Sequence, residues 1–101
     1  MIMTLNIQTV HFDADNKLVD YINHKLQKLN TFNGRIIKVN VFLKLDNVAH
    51  AIKDKIAEIS VHVPRHNFFV KAKSKSFEES FDDAFDSIVT QIKRKKEKQA
   101  A

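Results

Sequence analysis

Five of the six residues from Lys93 to Lys98 are basic, namely Lys93, Arg94, Lys95, Lys96 and Lys98, and the chemistry open to such a run is contact with a polyanion. The run closes a helical pattern. Phe77, Phe81, Phe85, Ile88 and Ile92 recur at spacings of four, four, three and four, which aligns them on one face at about 100° per residue. Ser76 followed by Glu79 is the capping-box pattern, so the spacing predicts a single helix from Ser76 to Lys98 with its apolar stripe laid on a sheet. Glu78, Glu79, Asp82, Asp83 and Asp86 fill the exposed side of its first half. Acids at a helix start and bases at its end both suit the macrodipole, at roughly 0.3–1 kcal/mol each, and one or two of each are enough for that. Five bases in six positions repel one another unless an anion lies opposite.

Other chemistries lack their parts. Glycine occurs once, at Gly34, which removes phosphate-cradling glycine loops and dinucleotide fingerprints. There is no cysteine and no serine in a nucleophile elbow, so neither a thiolate zinc site nor the common acyl-transfer arrangements can be assembled. His11, His24, His50, His62 and His66 are dispersed; His62 and His66 flank one turn but have no third partner, and zinc needs three or four protein ligands. The acids of the last helix read as a solvated face. No catalysis, cofactor or metal is expected.

The balance of 17 Lys and Arg against 12 Asp and Glu, a net charge of +5 and a pI near 9.6, favours an anionic partner without choosing among RNA, DNA and an acidic membrane surface. A chain of 101 residues, 44% of them hydrophobic, suffices for one domain over 1–101 and not for two. Residues 1–10 have neither the basic leader nor the apolar run of a signal peptide, and no apolar stretch approaches the roughly 20 residues of a membrane span. A cysteine-free, cytoplasmic protein that makes no membrane contact is the expectation.

Taken in order, Met3, Leu5 and Ile7 alternate with polar residues as in a strand with one buried face. Asx residues from Asp13 to Asn16 can cap a helix that runs from Asn16 to Phe32 on the stripe Leu18, Ile22, Leu26, Leu29 and Phe32, ended by Asn33-Gly34 through a left-handed glycine. Lys25 falls inside that apolar arc and must snorkel. Ile37, Val39, Val41, Leu43 and Leu45 then face one way and Lys38, Asn40, Phe42 and Lys44 the other, in a long second strand. Residues 46–54 read as a hairpin loop, followed by a third strand over Ala57, Ile59, Val61 and Val63, a tight turn at Pro64–Asn67, and a fourth strand over 68–73. The order β-α-β-β-β-α predicts an α+β domain: a four-stranded mixed sheet with two helices packed on one face and the other face wet. On that wet face Phe42 and Phe69, among Lys38, Lys44, Lys71 and Lys73, could stack on unpaired bases or could simply stabilise the sheet as cross-strand aromatics.

This chain resembles the ribosome hibernation promoting factor family, also called ribosome-associated inhibitor or protein Y, in its short form. The resemblance rests on Phe81-Asp82, Asp86 and Gln91-Ile92-Lys93-Arg94-Lys95-Lys96 in the last helix, on Lys25-Leu26-Gln27-Lys28-Leu29 in the first, on Leu43-Lys44, and on His50. Relatives usually carry glycine in the turn where this chain has Pro64-Arg65-His66-Asn67, and many begin the last helix Asp-Met-Tyr where this one has Ser-Phe-Glu-Glu. The resemblance implies a translation silencer that occupies the small ribosomal subunit's mRNA and tRNA channel. Its partners would be small-subunit rRNA and ribosomal proteins, with room for a second hibernation factor, and it would be a monomer off the ribosome. Lys25, Lys28, Lys44, His50, Lys71, Lys73, Lys75, Lys93, Arg94, Lys95, Lys96 and Lys98 are the RNA contacts it implies, meeting phosphates and so not reading sequence. The alternative is a general double-stranded RNA-binding module, which also sets two helices on one side of a sheet; its usual order starts with a helix, which the leading strand argues against.

Overall fold

The computed structural model describes residues 3–10, 13–47 and 53–100, with side chains at all of these except 46–47, 53–54 and 96–100. Along it run β1 (Thr4–Val10), α1 (Asn16–Leu26), a single turn α2 (Leu29–Phe32), β2 (Lys38–Asn47), β3 (Lys53–Val63), β4 (His66–Ser74) and α3 (Phe77–Ala100). The strands form one sheet in the order β1-β2-β3-β4, with β1 parallel to β2 and the other pairs antiparallel. This is the mixed sheet that the element order predicts, the helical crossover after β1 forcing the parallel pair.

Period-2 alternation divides the sheet cleanly. Leu5, Val39, Val61 and Phe68 form one cross-strand row on the covered face and Ile7, Val41, Ile59 and Val70 the next, packed with Leu18, Ile22, Leu26 and Leu29 and with the stripe of α3 in one core. Phe81, Ile88 and Ile92 are fully enclosed, and burial of a side chain of that size stabilises by about 1.5–3 kcal/mol. Ser80 is the buried polar residue on the stripe; its hydroxyl sits against the backbone carbonyls of Lys55 and Ser76 and so ties α3 to β3.

The helix starts are built from the capping residues the sequence offers. Asp15 Oδ1 accepts from the backbone N–H of Leu18 at 2.8 Å, and Ser76 Oγ accepts from that of Glu79 at 3.1 Å. The return arm of the second box is relayed: the Ser76 N–H donates to Ser74 Oγ, and that hydroxyl donates to Glu79 Oε2 at 2.9 Å. Three side chains do the work of two.

Four local expectations change. The helix predicted over 16–32 breaks at Gln27–Lys28, where Lys28 N–H bonds to Lys25 O and Thr31 N–H to Lys28 O, a tightening to i−3 spacing that still buries both Leu26 and Leu29. Gly34 is not left-handed; Asn33 ends α2 in an extended conformation, and its Oδ1 accepts from Arg35 N–H in an Asx-type turn. That turn resets the phase ahead of β2, so Ile36 is buried and Ile37 lies 42% exposed, the reverse of the simple alternation. The β2–β3 ladder also continues through Asp46↔Asp54 and Asn47↔Lys53, so 46–47 and 53–54, expected in a loop, belong to the strands. His50 lies between them, outside the described residues.

The β3–β4 hairpin closes on Val63↔His66 with Pro64 and Arg65 at its tip. Proline holds φ near −65°, which leaves the second position to adopt φ 68°, and Arg65 occupies it. A side chain there is strained where glycine would be relaxed. Arg65→Gly is therefore expected to stabilise the fold by about 0.5–1 kcal/mol, the relief of strain exceeding glycine's added unfolded-state entropy. A urea titration reads this directly; a lower midpoint for the variant would contradict the turn geometry.

Candidate nucleic-acid interface

Most of the described cations singled out in the sequence fall on two opposite sides of the sheet. On the helical side stand Lys25 and Lys28 of the first helical segment and the basic end of α3, where Lys93 and Arg94 are exposed and Lys95 is half-buried. Lys93 lies with its ammonium 5.1 Å from the centre of the Phe32 ring, a cation–π contact that steadies a long side chain while leaving its charge exposed to water. Lys28 sits at the junction of α1 and α2 and is exposed. The side chains of Lys96 and Lys98 are outside the described residues.

Lys25 is committed inside the molecule. Its Nζ lies 2.6 Å from Asp82 Oδ1 on α3, and the Tyr21 hydroxyl donates to the same oxygen at 2.6 Å. The Lys25 ammonium also lies 5.1 Å from the Phe85 ring centre. This explains the lysine in an apolar arc: its stem crosses the helix–helix seam and its head is met by a carboxylate. Partial burial opposes ionisation of Asp82, but hydrogen bonds from Lys25 and then Tyr21, with the lysine's charge, outweigh it and hold the carboxyl below its ordinary value. Burial likewise opposes the charged Lys25, and the hydrogen bond and charge of Asp82 overcome it and raise the ammonium's pKa. The hydrogen bond to Asp82, then burial, push the Tyr21 phenol up.

On the uncovered face the register sets out rows. One reads Gln8, Phe42, Glu58, Lys71 and the next Val10, Lys44, Ile56, Lys73. Lys44 is paired with Glu58 at 3.0 Å, and Lys71 lies directly across from the same Glu58. Ile56 is buried on this face, flanked in register by Lys44 and Lys73. Phe42 and Phe69 do share this face; Phe69 is 55% exposed and Phe42 half-buried, and they stand on strands separated by β3. Lys75 is exposed just before α3, and its carbonyl accepts from Lys55 Nζ at 3.0 Å.

This architecture has close counterparts. The model of the sigma 54 modulation protein / S30EA ribosomal protein family matches residues 5–100. The chain belongs to that family. It is 27% identical over 96 residues to the ribosome hibernation promoting factor of Salmonella typhimurium, covering 95% of this chain and 96% of that one. The Pseudomonas putida protein of the same name is 25% identical, covering 96% and 90%. In three dimensions the chain is similar to the protein Y N-terminal domain of Thermus thermophilus (TM-score 0.78, 24% identity, 92% and 98% covered). It is also similar to a ribosomal subunit interface protein from Coxiella burnetii (TM-score 0.81, 16% identity, 94% and 98% covered), and at these identities the two likenesses show the fold.

In this S30EA-family chain the basic residues differ in what they are free to do. Lys28, Lys93 and Arg94 project from the helical side with no carboxylate partner among the described residues, whereas Lys25 and Lys44 each hold an acid. Two basic residues that periodicity passes over, Arg35 and Arg65, come to lie near Lys95. Each is a single charge in a connecting segment, so only the folded chain brings them together. No helix among the described residues is long and apolar enough to cross a membrane, and no group of three potential metal ligands occurs among them.

The Asp82 cluster has a pH signature. Asp82→Asn should cost about 1 kcal/mol near neutral pH, a modest figure because the Asp82 side chain is 39% exposed and water screens the pair. A carboxyl held below its ordinary 3.8 stabilises above that value and loses the contribution as pH falls through its folded pKa. The stability gap between wild type and variant should thus be full at neutral pH and close below 3.8. Urea midpoints at neutral and acid pH test this, and a gap that persisted in acid would show the carboxylate's charge to be irrelevant.

Proposed function

We propose that this chain is a ribosome-binding translation silencer, a hibernation factor that occupies the mRNA and tRNA channel of the small subunit through basic contacts to rRNA. The observation that carries the reading is the end-to-end likeness, over 95% of this chain, to proteins named ribosome hibernation promoting factor. The placement of charge supports it. Lys28, Lys93 and Arg94 are exposed on the helical side, and contacts from such groups to phosphates position a protein without reading sequence. Action would be by occupancy, in the cytoplasm, with rRNA and neighbouring ribosomal proteins as partners, the protein monomeric until bound and open to working beside a second hibernation factor.

The uncovered sheet face suits this reading less well. Its lysines are partly answered by Glu58, and its most exposed ring, Phe69, makes no ring contact among the described residues with which to sandwich a base. The helical side is therefore the face assigned to RNA.

The test is co-sedimentation with small subunits in a sucrose gradient at low and high salt. Wild type should travel with subunits at low salt and be released as salt rises, because each phosphate contact releases counterions. Lys28→Glu combined with Arg94→Glu should abolish the association while leaving the thermal melt unchanged; Lys25 is unsuited to this test because reversal would set a second carboxylate against Asp82. A wild-type protein that ignored subunits at low salt yet bound generic duplex RNA would favour the double-stranded RNA-binding module instead.

A further inference from the structure

A cleft of about 640 Å³ opens where the loop ahead of β2, the β3–β4 turn and the last turns of α3 meet. Arg35, Arg65 and Lys95 come to it from those three segments, with His66 beside them and no carboxylate among the described lining residues. None of the three cations forms an ion pair among the described residues, whereas Lys25 and Lys44 elsewhere each hold one. Converging like charges raise the energy of the empty cleft, and an anion seated among them would reverse that cost.

The backbone adds a second observation. Arg65 takes φ 68° at a turn position where glycine would be unstrained, so the chain carries conformational strain to hold a guanidinium at the mouth of this cleft. The floor decides the ligand's chemistry. Phe68 is only 3% exposed, so its ring offers no open face for a base to stack on; the half-buried His66 ring, set edge-on to it at 4.5 Å between centroids, is the other aromatic group of the lining. What remains is two planar guanidinium forks and an ammonium, the donor set that suits phosphate oxygens.

We propose that this cleft is a phosphate clamp that grips the backbone of an RNA strand, a set of contacts separate from Lys28, Lys93 and Arg94. It rests on the ribosome-binding reading for its RNA, and adds Arg35 and Arg65, which that reading does not name, to Lys95. A polynucleotide backbone is the assigned source because it comes with the ribosome-binding reading on which the clamp rests.

The experiment measures small-subunit affinity against salt for wild type, for Arg35→Gln combined with Lys95→Gln, and for Arg65→Gly. The double variant should bind at least about tenfold more weakly at low salt, with a log–log salt slope shallower by about 1.5 for two lost contacts. Arg65→Gly should bind more weakly while unfolding at higher urea, a divergence that a purely structural role would not produce; it also carries the test if the double variant melts early. If wild type binds subunits and the variants keep its affinity and slope, the clamp is wrong and the ribosome reading stands. If wild type fails to bind subunits, the ribosome reading falls, and NMR titration of the isotope-labelled protein judges the clamp alone. A short RNA hairpin that shifts the amides of Arg35, Arg65, His66 and Lys95 supports it. RNA that leaves them still overturns it, as does a response to inorganic pyrophosphate without one to RNA, which would make the cleft a small-anion site.

Discussion

A sheet with one apolar face must be covered, and in this protein a single helical stripe supplies most of the cover. Phe77, Phe81, Phe85, Ile88 and Ile92 lie across β3 and β4, and α1 with α2 completes the layer over β1 and β2. Every other feature is conditional on that seam. It sets Asp82 opposite Lys25, carries Lys93 to the Phe32 ring, and brings Lys95 within reach of the β3–β4 turn. The basic end of α3 has a defined position only because its apolar face is already held.

The architecture was readable because two periods, 3.6 and 2, are written with little interruption in the residues that face the core. The α3 stripe and the strand alternation from Val39 onward required no knowledge of partners. The misreadings occur where a local polar interaction overrides periodicity. Asn33's side chain bonds Arg35's amide and resets the phase so that Ile36, not Ile37, is enclosed; a short i−3 segment divides the first helix without displacing its leucines. The ladder that lengthens β2 and β3 past Asp46 and Asp54 uses backbone groups alone, to which hydropathy is blind. The site was legible in part. A basic run such as Lys93–Lys98 announces itself, but the neutralisation of Lys25 by a residue 57 positions away, and the meeting of Arg35 with Arg65 and Lys95, are products of topology.

Charge here is sorted by role more than by amount. Where a cation crosses a packed seam it is given a carboxylate, as Lys25 is by Asp82, because even partial removal from water must be compensated. Where a cation stands at the periphery of the helical layer, as Lys28, Lys93 and Arg94 do, none is provided among the described residues. The acids of α3 follow the same logic: those near its start complement the dipole, and Asp82 alone among them is drawn into the interhelical contact.

That α3 follows all four strands in the chain has a consequence for biosynthesis. As the polypeptide leaves the exit tunnel, the strands can pair before α3 has been made, so the nascent intermediate leaves the valine, isoleucine and phenylalanine of β3 and β4 bare. The domain can finish folding only once Ile92 is free of the tunnel. Chaperone capture during translation, or a stall before that codon, would therefore act on a half-built protein that is sticky and not yet able to bind anything through its C-terminal lysines.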